Sequence, residues 1–142
     1  MRNTSNHTAI AALVLTATAF ASPASAAPQT VDTMRDHRRL VLIAAPRDTD
    51  SQAATQTAIL SHWKNEADDR DITVITITGM TVTGSADKAQ SLRRRFQLKP
   101  GTFQVLLIGK DGHVAIRSAH PITAERLQGA IDAMPMRQAG QH

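Results

Sequence analysis

The chain has 142 residues, with 16 Lys or Arg, 12 Asp or Glu and no Cys, which is room for one domain. Without cysteine there is no thiol nucleophile, disulfide exchange, iron–sulfur cluster or thiolate zinc site. One Trp, three Phe and no Tyr argue against an aromatic platform for sugars or bases.

In chain order, the first segment has the three parts of a secretory signal peptide. Arg2 supplies a positive charge, Thr8 to Ala21 is an uncharged Ala/Leu/Val-rich run, and Ala24-Ser25-Ala26 is a small-x-small cleavage site. The run is too short and too rich in Ala and Thr to span a bilayer, which needs roughly 20 apolar residues. Residues 1–26 are therefore expected to be removed. That places the chain in the periplasm or outside the cell, with no transmembrane segment. Removal leaves fifteen basic residues against twelve acidic ones. That excess is too small to point to nucleic acid, and no nucleic-acid partner is expected.

Residues 27–37 read as a flexible N-terminal arm, 38–138 as the folded domain and 139–142 as a tail. Arg39 to Ala45 is a nearly continuous apolar run ended by Pro46, as in a strand covered on both faces. Arg47 to Ser51 is a polar loop. From Ser51 to Asn65, Ala53, Thr57, Leu60, Trp63 and Ala67 fall on one helical stripe, with Gln56 off it. The cluster Glu66 to Asp71 ends that helix. Ile72 to Thr78 alternates β-branched residues, as a strand does.

Gly79 and Gly84 bracket a loop. Ser85 can cap a second helix, with Asp87 in its first turn and Arg93, Arg94 and Arg95 toward its C-terminus. Phe103 to Ile108 is a second buried run. Gly109 to Gly112 is its turn, where Asp-Gly can supply the positive φ angles of a two-residue connection. His113 to Arg117 is an edge strand with one wet face. Thr123 caps a closing helix whose buried stripe is Leu127, Ala130, Ile131 and Met134. The order β-α-β-α-β-β-α predicts an α/β, three-layer, thioredoxin-like fold with a mixed four-stranded sheet.

Two blocks, Phe103 to Arg117 around Leu107-Ile108-Gly109-Lys110-Asp111-Gly112, and Ile131 to Arg137, resemble the signatures of a bacterial family, domain of unknown function 4174. Arg38-Arg39-Leu40-Val41 and Arg70-Asp71-Ile72 resemble the start of its first and second strands. The resemblance covers about Arg38 to Arg137. It implies a secreted thioredoxin-like module, similar to domains of animal extracellular-matrix and sushi-repeat proteins, with no defined catalytic residues. In redox thioredoxins, two cysteines follow the first strand and a cis-proline precedes the third. Here the first position reads Ala45 to Ser51, and Phe103 or Gln104 stands at the second.

Three constellations can be weighed as chemistry. Asp48, Asp50 and Ser51 occupy the loop where the thiols would be, and a helix-capping loop is the plainer reading. Asp111, His113, Ser118 and His120 form no nucleophile elbow, and a turn with a wet strand face explains them. Arg93, Arg94 and Arg95, with Lys88, Lys99 and Arg117, can offer an anionic partner a basic patch, or simply complement their own helix dipole. Lys110 and Arg137 are the charges inside the two blocks. Lys110 belongs to the turn, and Arg137 can pair with Asp132 or Asp71; a site role requires both to converge on one surface.

The expected function is thus a non-catalytic binding or structural module with an unidentified protein or anionic surface as partner. It is expected to be a monomer without cofactor or metal. The alternative is an enzyme using Asp48, Asp50 and Ser51.

Overall fold

The computed structural model describes residues 28–140, so the expected signal segment lies outside the described residues. In chain order the elements are α1 (Val31–Met34), β1 (Arg39–Ala45), α2 (Ser51–His62), α3 (Lys64–Asp68), β2 (Ile72–Thr78) and β3 (Thr81–Thr83). They continue with α4 (Ala89–Arg95), β4 (Gln104–Ile108), β5 (Val114–Ser118), α5 (Ala124–Asp132) and α6 (Pro135–Gln138). One sheet runs β3-β2-β1-β4-β5. β1 is parallel to β2 and antiparallel to β4, and the two outer pairs are antiparallel hairpins.

β1 is central because its seven residues are buried throughout. The two-residue period of a strand divides them between two cores. Val41, Ile43 and Ala45 join Ala53, Leu60, Trp63, Leu127 and Ile131 on the face covered by α2, α3 and α5. Leu40, Leu42 and Ala44 join Val31, Met34, Ala89 and Leu92 on the face covered by α1 and α4. β4 follows the same alternation, with Val105 and Leu107 on the first face and Leu106 and Ile108 on the second. Complete burial of one such aliphatic side chain contributes roughly 1.5–3 kcal/mol. This accounts for the continuous apolar run of β1 in the sequence.

Several expectations need correction. The sheet has five strands, because the loop expected between Gly79 and Gly84 holds β3, paired back on β2 through Thr78 and Thr81. Gly79 turns the hairpin at φ 56°. The supposedly flexible arm holds α1, which Thr30 caps through the Thr33 N–H and which buries Val31 and Met34. Ser85 does not cap α4. That helix starts after Lys88, and Ser85 donates its hydroxyl proton to Asp87 Oδ2 at 2.6 Å. Asp87 in turn accepts the Val31 N–H at 2.7 Å, tying α1 down.

The first long helix breaks at Trp63 and resumes as α3, so Glu66 to Asp68 lie inside a helix. On α2 Gln56 is buried along with Ala53 and Leu60, while Thr57 is exposed. Gln56 accepts the Ile122 N–H at 2.7 Å and donates to the Ile122 carbonyl at 3.2 Å. A polar side chain can therefore sit fully inside without an unpaired amide. The β4–β5 turn also differs. Gly112 N–H closes onto the Gly109 carbonyl at 3.0 Å, and only Gly112 has positive φ, at 84°. That is a longer connection with a bulge, seen as the register shift between Leu107 and Ile108.

Candidate functional site

The loop after β1 comes first, because a thioredoxin-type site would lie there. Asp50 caps α2, accepting the Ala53 N–H at 3.0 Å. Ser51 is exposed as the first helical residue and its carbonyl accepts the Thr55 hydroxyl. Asp48 is exposed and faces a shallow groove lined mainly by Ala and Thr of α2 and β2. Of the three, only Asp48 lines that groove, and the residue before β4 is Phe103.

The arginine cluster is partly dispersed by contacts within the fold. Arg93 hydrogen-bonds the Gly79 carbonyl, and Arg95 pairs with Asp32 at 2.6 Å. Arg117 donates to the Phe96 carbonyl at 2.7 Å. Arg94 stays exposed on the helix surface. Ser118 gives its hydroxyl proton to the His120 carbonyl rather than to an imidazole, and His113 pairs with Asp111 at 3.2 Å on the exposed turn.

Charge converges at the other end of β1, about 20 Å from Ala45 at the rise of a strand. Because β4 is antiparallel to β1, the turn at Lys110 returns to the same end as Arg39 and the start of β2. Lys110 is buried, and its Nζ donates to Asp71 Oδ2 at 2.8 Å. Asp71 also faces Arg38 at 4.0 Å. It holds φ 54°, and its carbonyl accepts the Arg39 N–H at 2.9 Å. A short polar side chain is among the few that tolerate that left-handed conformation. Asp36, φ 68°, donates its N–H to the Lys110 carbonyl at 2.8 Å, closing the same end from α1.

Asp132 completes the network. Arg70 grips it with two bonds of 3.1 Å, from Nε and Nη2. The Arg70 guanidinium also lies 5.7 Å from the Trp63 ring centre and donates to the Glu66 carbonyl. Arg137 Nε lies 3.7 Å from Asp132 Oδ1, and its Nη1 donates to the Asp69 carbonyl. The hydrogen bond from Lys110 holds the Asp71 carboxyl below its usual pKa, and that from Arg70 does the same for Asp132. Lys110 and Arg137 thus pair with different acids, Asp71 and Asp132, at the same end of the sheet, with Lys110 buried.

Arg39 lies at the centre of this charge and is 1% exposed. Its Nη1 donates to the Arg70 carbonyl at 2.9 Å, while Nε and Nη2 have no partner among the described residues. Asp71 and Asp132 attract it electrostatically, but each is hydrogen-bonded to another cation. Burial lowers the Arg39 pKa from its usual value, opposed by Asp71 and reinforced by Arg137. A buried charged group lacking full hydrogen bonding costs several kcal/mol. Arg39 also lines a cavity of about 130 Å³ whose wall includes Gly109, Lys110, Asp111, Ala115 and Met134 to Met136. Both signature-like blocks therefore supply this wall.

Arg39 and Arg70 are the residues that sequence reasoning missed as site members. The available signal was a charge at the head of an otherwise apolar run, Arg39 before Leu40 to Ala45.

Residues 30–140 match the family described as domain of unknown function 4174. Among solved structures, thioredoxin peroxidase I of Plasmodium yoelii is similar at 13% identity and a TM-score of 0.57, over 79% of this chain and 81% of that one. A malarial protein is similar at 17% identity and a TM-score of 0.48, over 67% of this chain and 94% of that one. The likeness to the peroxidase shows a thioredoxin-like fold and nothing of its chemistry. Among the described residues, no helix is long and apolar enough to cross a membrane.

Proposed function

The chain belongs to the domain of unknown function 4174 family, and on that premise we propose that it is an exported, non-catalytic binding or structural module on a thioredoxin-like scaffold. The reading places its working surface at the Arg39–Lys110 end of the sheet. One observation carries it: at the usual redox position Asp50 is spent on a helix cap and Asp48 and Ser51 are exposed, whereas buried charge and a cavity meet at the opposite end. The absence of cysteine supports the same reading, since thiol chemistry is closed to this chain. Against an enzyme built on Asp48, Asp50 and Ser51 stand the use of Asp50 as a cap and the exposure of Asp48 and Ser51.

The test is recovery of partners from the native extracellular or periplasmic fraction with three tagged chains: native, Asp48→Asn/Ser51→Ala, and Lys110→Met. The expected result is a partner retained by the first two and lost by the third. Loss in the Asp48→Asn/Ser51→Ala chain alone would overturn the reading. So would hydrolytic turnover by the native chain that this variant lacks.

A further inference from the structure

We propose that the groove between the β2–β3 turn and the loop before β4 binds an organic phosphate, a phosphomonoester with an apolar body. The groove has a volume of about 380 Å³, within the range of small-molecule sites. It lies beyond the carboxyl end of β1, lined by Ala44, Ala45 and Pro46, and is a second surface independent of the Arg39–Lys110 end. Open α/β sheets hold ligands outside the carboxyl ends of their strands. One lip is Gly79 and Met80, and the other is Lys99 to Thr102. A Cβ at Gly79 or at Gly101 would meet nothing within 4 Å, so both lips leave room for a ligand.

Arg93 and Lys99 line this groove, and no Asp or Glu does. Neither cation forms an ion pair among the described residues. Arg93 donates from Nη2 to the Gly79 carbonyl, which holds its guanidinium against the turn. A guanidinium has further N–H donors, so this bond fixes the group without exhausting it. The opposite lip is pinned too. The Lys99 N–H donates to Gln104 Oε1 at 2.9 Å, and the Lys99 carbonyl accepts the Thr102 hydroxyl at 3.2 Å. The Gly101 N–H makes no hydrogen bond among the described residues and adds a donor to that lip.

The layout of the wall chooses between anions. Lys99 is exposed and Arg93 half-buried, whereas the apolar Ala44, Ala45 and Leu98 are buried. Charge therefore stands at the mouth and apolar surface at the floor, which suits one compact charged head on an apolar body. A phosphomonoester gathers about −1.5 to −2 charge and three acceptor oxygens in such a head. A monocarboxylate would leave one cation unanswered, and a dicarboxylate would carry one of its charges onto the apolar floor. Inorganic phosphate would leave the floor uncovered. Free phosphate esters and the headgroup of phosphatidic acid share the chemistry required.

The experiment follows the Lys99 and Gly101 backbone amides of the native chain by NMR during titration with phenyl phosphate, inorganic phosphate, benzoate and sodium chloride at matched pH and ionic strength. Phenyl phosphate is expected to shift them saturably in the millimolar range. Inorganic phosphate and benzoate are expected to bind at least about tenfold more weakly, and chloride to leave the amides in place. Arg93→Gln and Lys99→Gln should each weaken phenyl phosphate binding at least about tenfold. Lys88→Gln, exposed and off the groove, should leave it unchanged. Should Arg93→Gln fail to fold, Lys99→Gln still decides, because that side chain is exposed. Sedimentation with phosphatidylcholine vesicles, with and without phosphatidic acid, separates the two sources. Binding that needs phosphatidic acid and is lost in Lys99→Gln assigns a lipid headgroup, and its absence assigns a free ester. No saturable shift with phenyl phosphate, equal affinity for benzoate or inorganic phosphate, or an equal loss in Lys88→Gln would overturn the proposal. None of these outcomes bears on partner recovery through Lys110.

Discussion

Lys110 Nζ reaches Asp71 Oδ2 at 2.8 Å, joining the turn after β4 to the residue that leads into β2. The two partners are unequally buried, with side-chain exposures of 3% and 29%. The pair ties both neighbours of β1 together at the end where Arg39 lies, and its asymmetry makes the two truncations unequal.

Asp71→Asn keeps the shape and tolerates the left-handed backbone, but it leaves a buried ammonium without counter-charge. A loss of about 2–4 kcal/mol is expected, somewhat below that for a fully buried pair because Asp71 meets solvent. Lys110→Met removes the charge and keeps the apolar stem, and Asp71 still has Arg38 and water; about 1–2 kcal/mol is expected. Urea melts followed by the fluorescence of Trp63, the sole tryptophan, measure both. Equal losses would contradict the burial asymmetry.

Acid should destabilise the fold through the same end. The folded-state pKa values of Asp71 and Asp132 lie below the ordinary aspartate value. The unfolded chain therefore takes up these protons first. Their contribution is present above about pH 4 and is lost as pH falls further through the folded-state values. Stability against pH, measured by urea melts, should decline across that window, and less steeply in Lys110→Met. An unchanged slope in that variant would show that the Lys110 bond does not depress Asp71.

Gln56 offers a cleaner test of buried polarity. Gln56→Leu leaves the Ile122 N–H and carbonyl without their amide partner, and should cost about 2–3 kcal/mol. Thr57→Ala, one residue on and exposed, should change stability by less than about 0.5 kcal/mol. The reverse ranking would return the buried stripe to the one expected from the sequence.

The two glycines around β3 should differ as well. A Cβ at Gly84 would stand 2.0 Å from the Val74 carbonyl oxygen, with φ at 81°. At Gly79, φ is 56° and nothing lies within 4 Å. Gly79→Ala should cost about 1–2 kcal/mol, the conformational penalty alone. Gly84→Ala should cost clearly more in the same melts, because the β2 backbone must also move.

β1 and β4 were legible because strands covered on both faces carry apolar residues continuously, as Leu40 to Ala45 and Val105 to Ile108 do. β3 was not, since the three residues Thr81 to Thr83 show too little of a period to distinguish a strand from a loop. The absence of cysteine, and with it of thiol chemistry, was legible from composition alone. The site was only half legible. Lys110 lies between Gly109 and Asp111 in a turn, so nothing nearby signals its burial; its partner Asp71 is 39 residues away. Arg39 was hidden in another way, because a strand pattern cannot show that its side chain will lie inside, against the Arg70 carbonyl of a distant loop.

The most direct test of where this protein works is partner recovery with the native, Asp48→Asn/Ser51→Ala and Lys110→Met chains side by side. Retention by the first two and loss in Lys110→Met is the expected result. Loss in Asp48→Asn/Ser51→Ala with retention by Lys110→Met would contradict the account and return the working surface to the loop after β1.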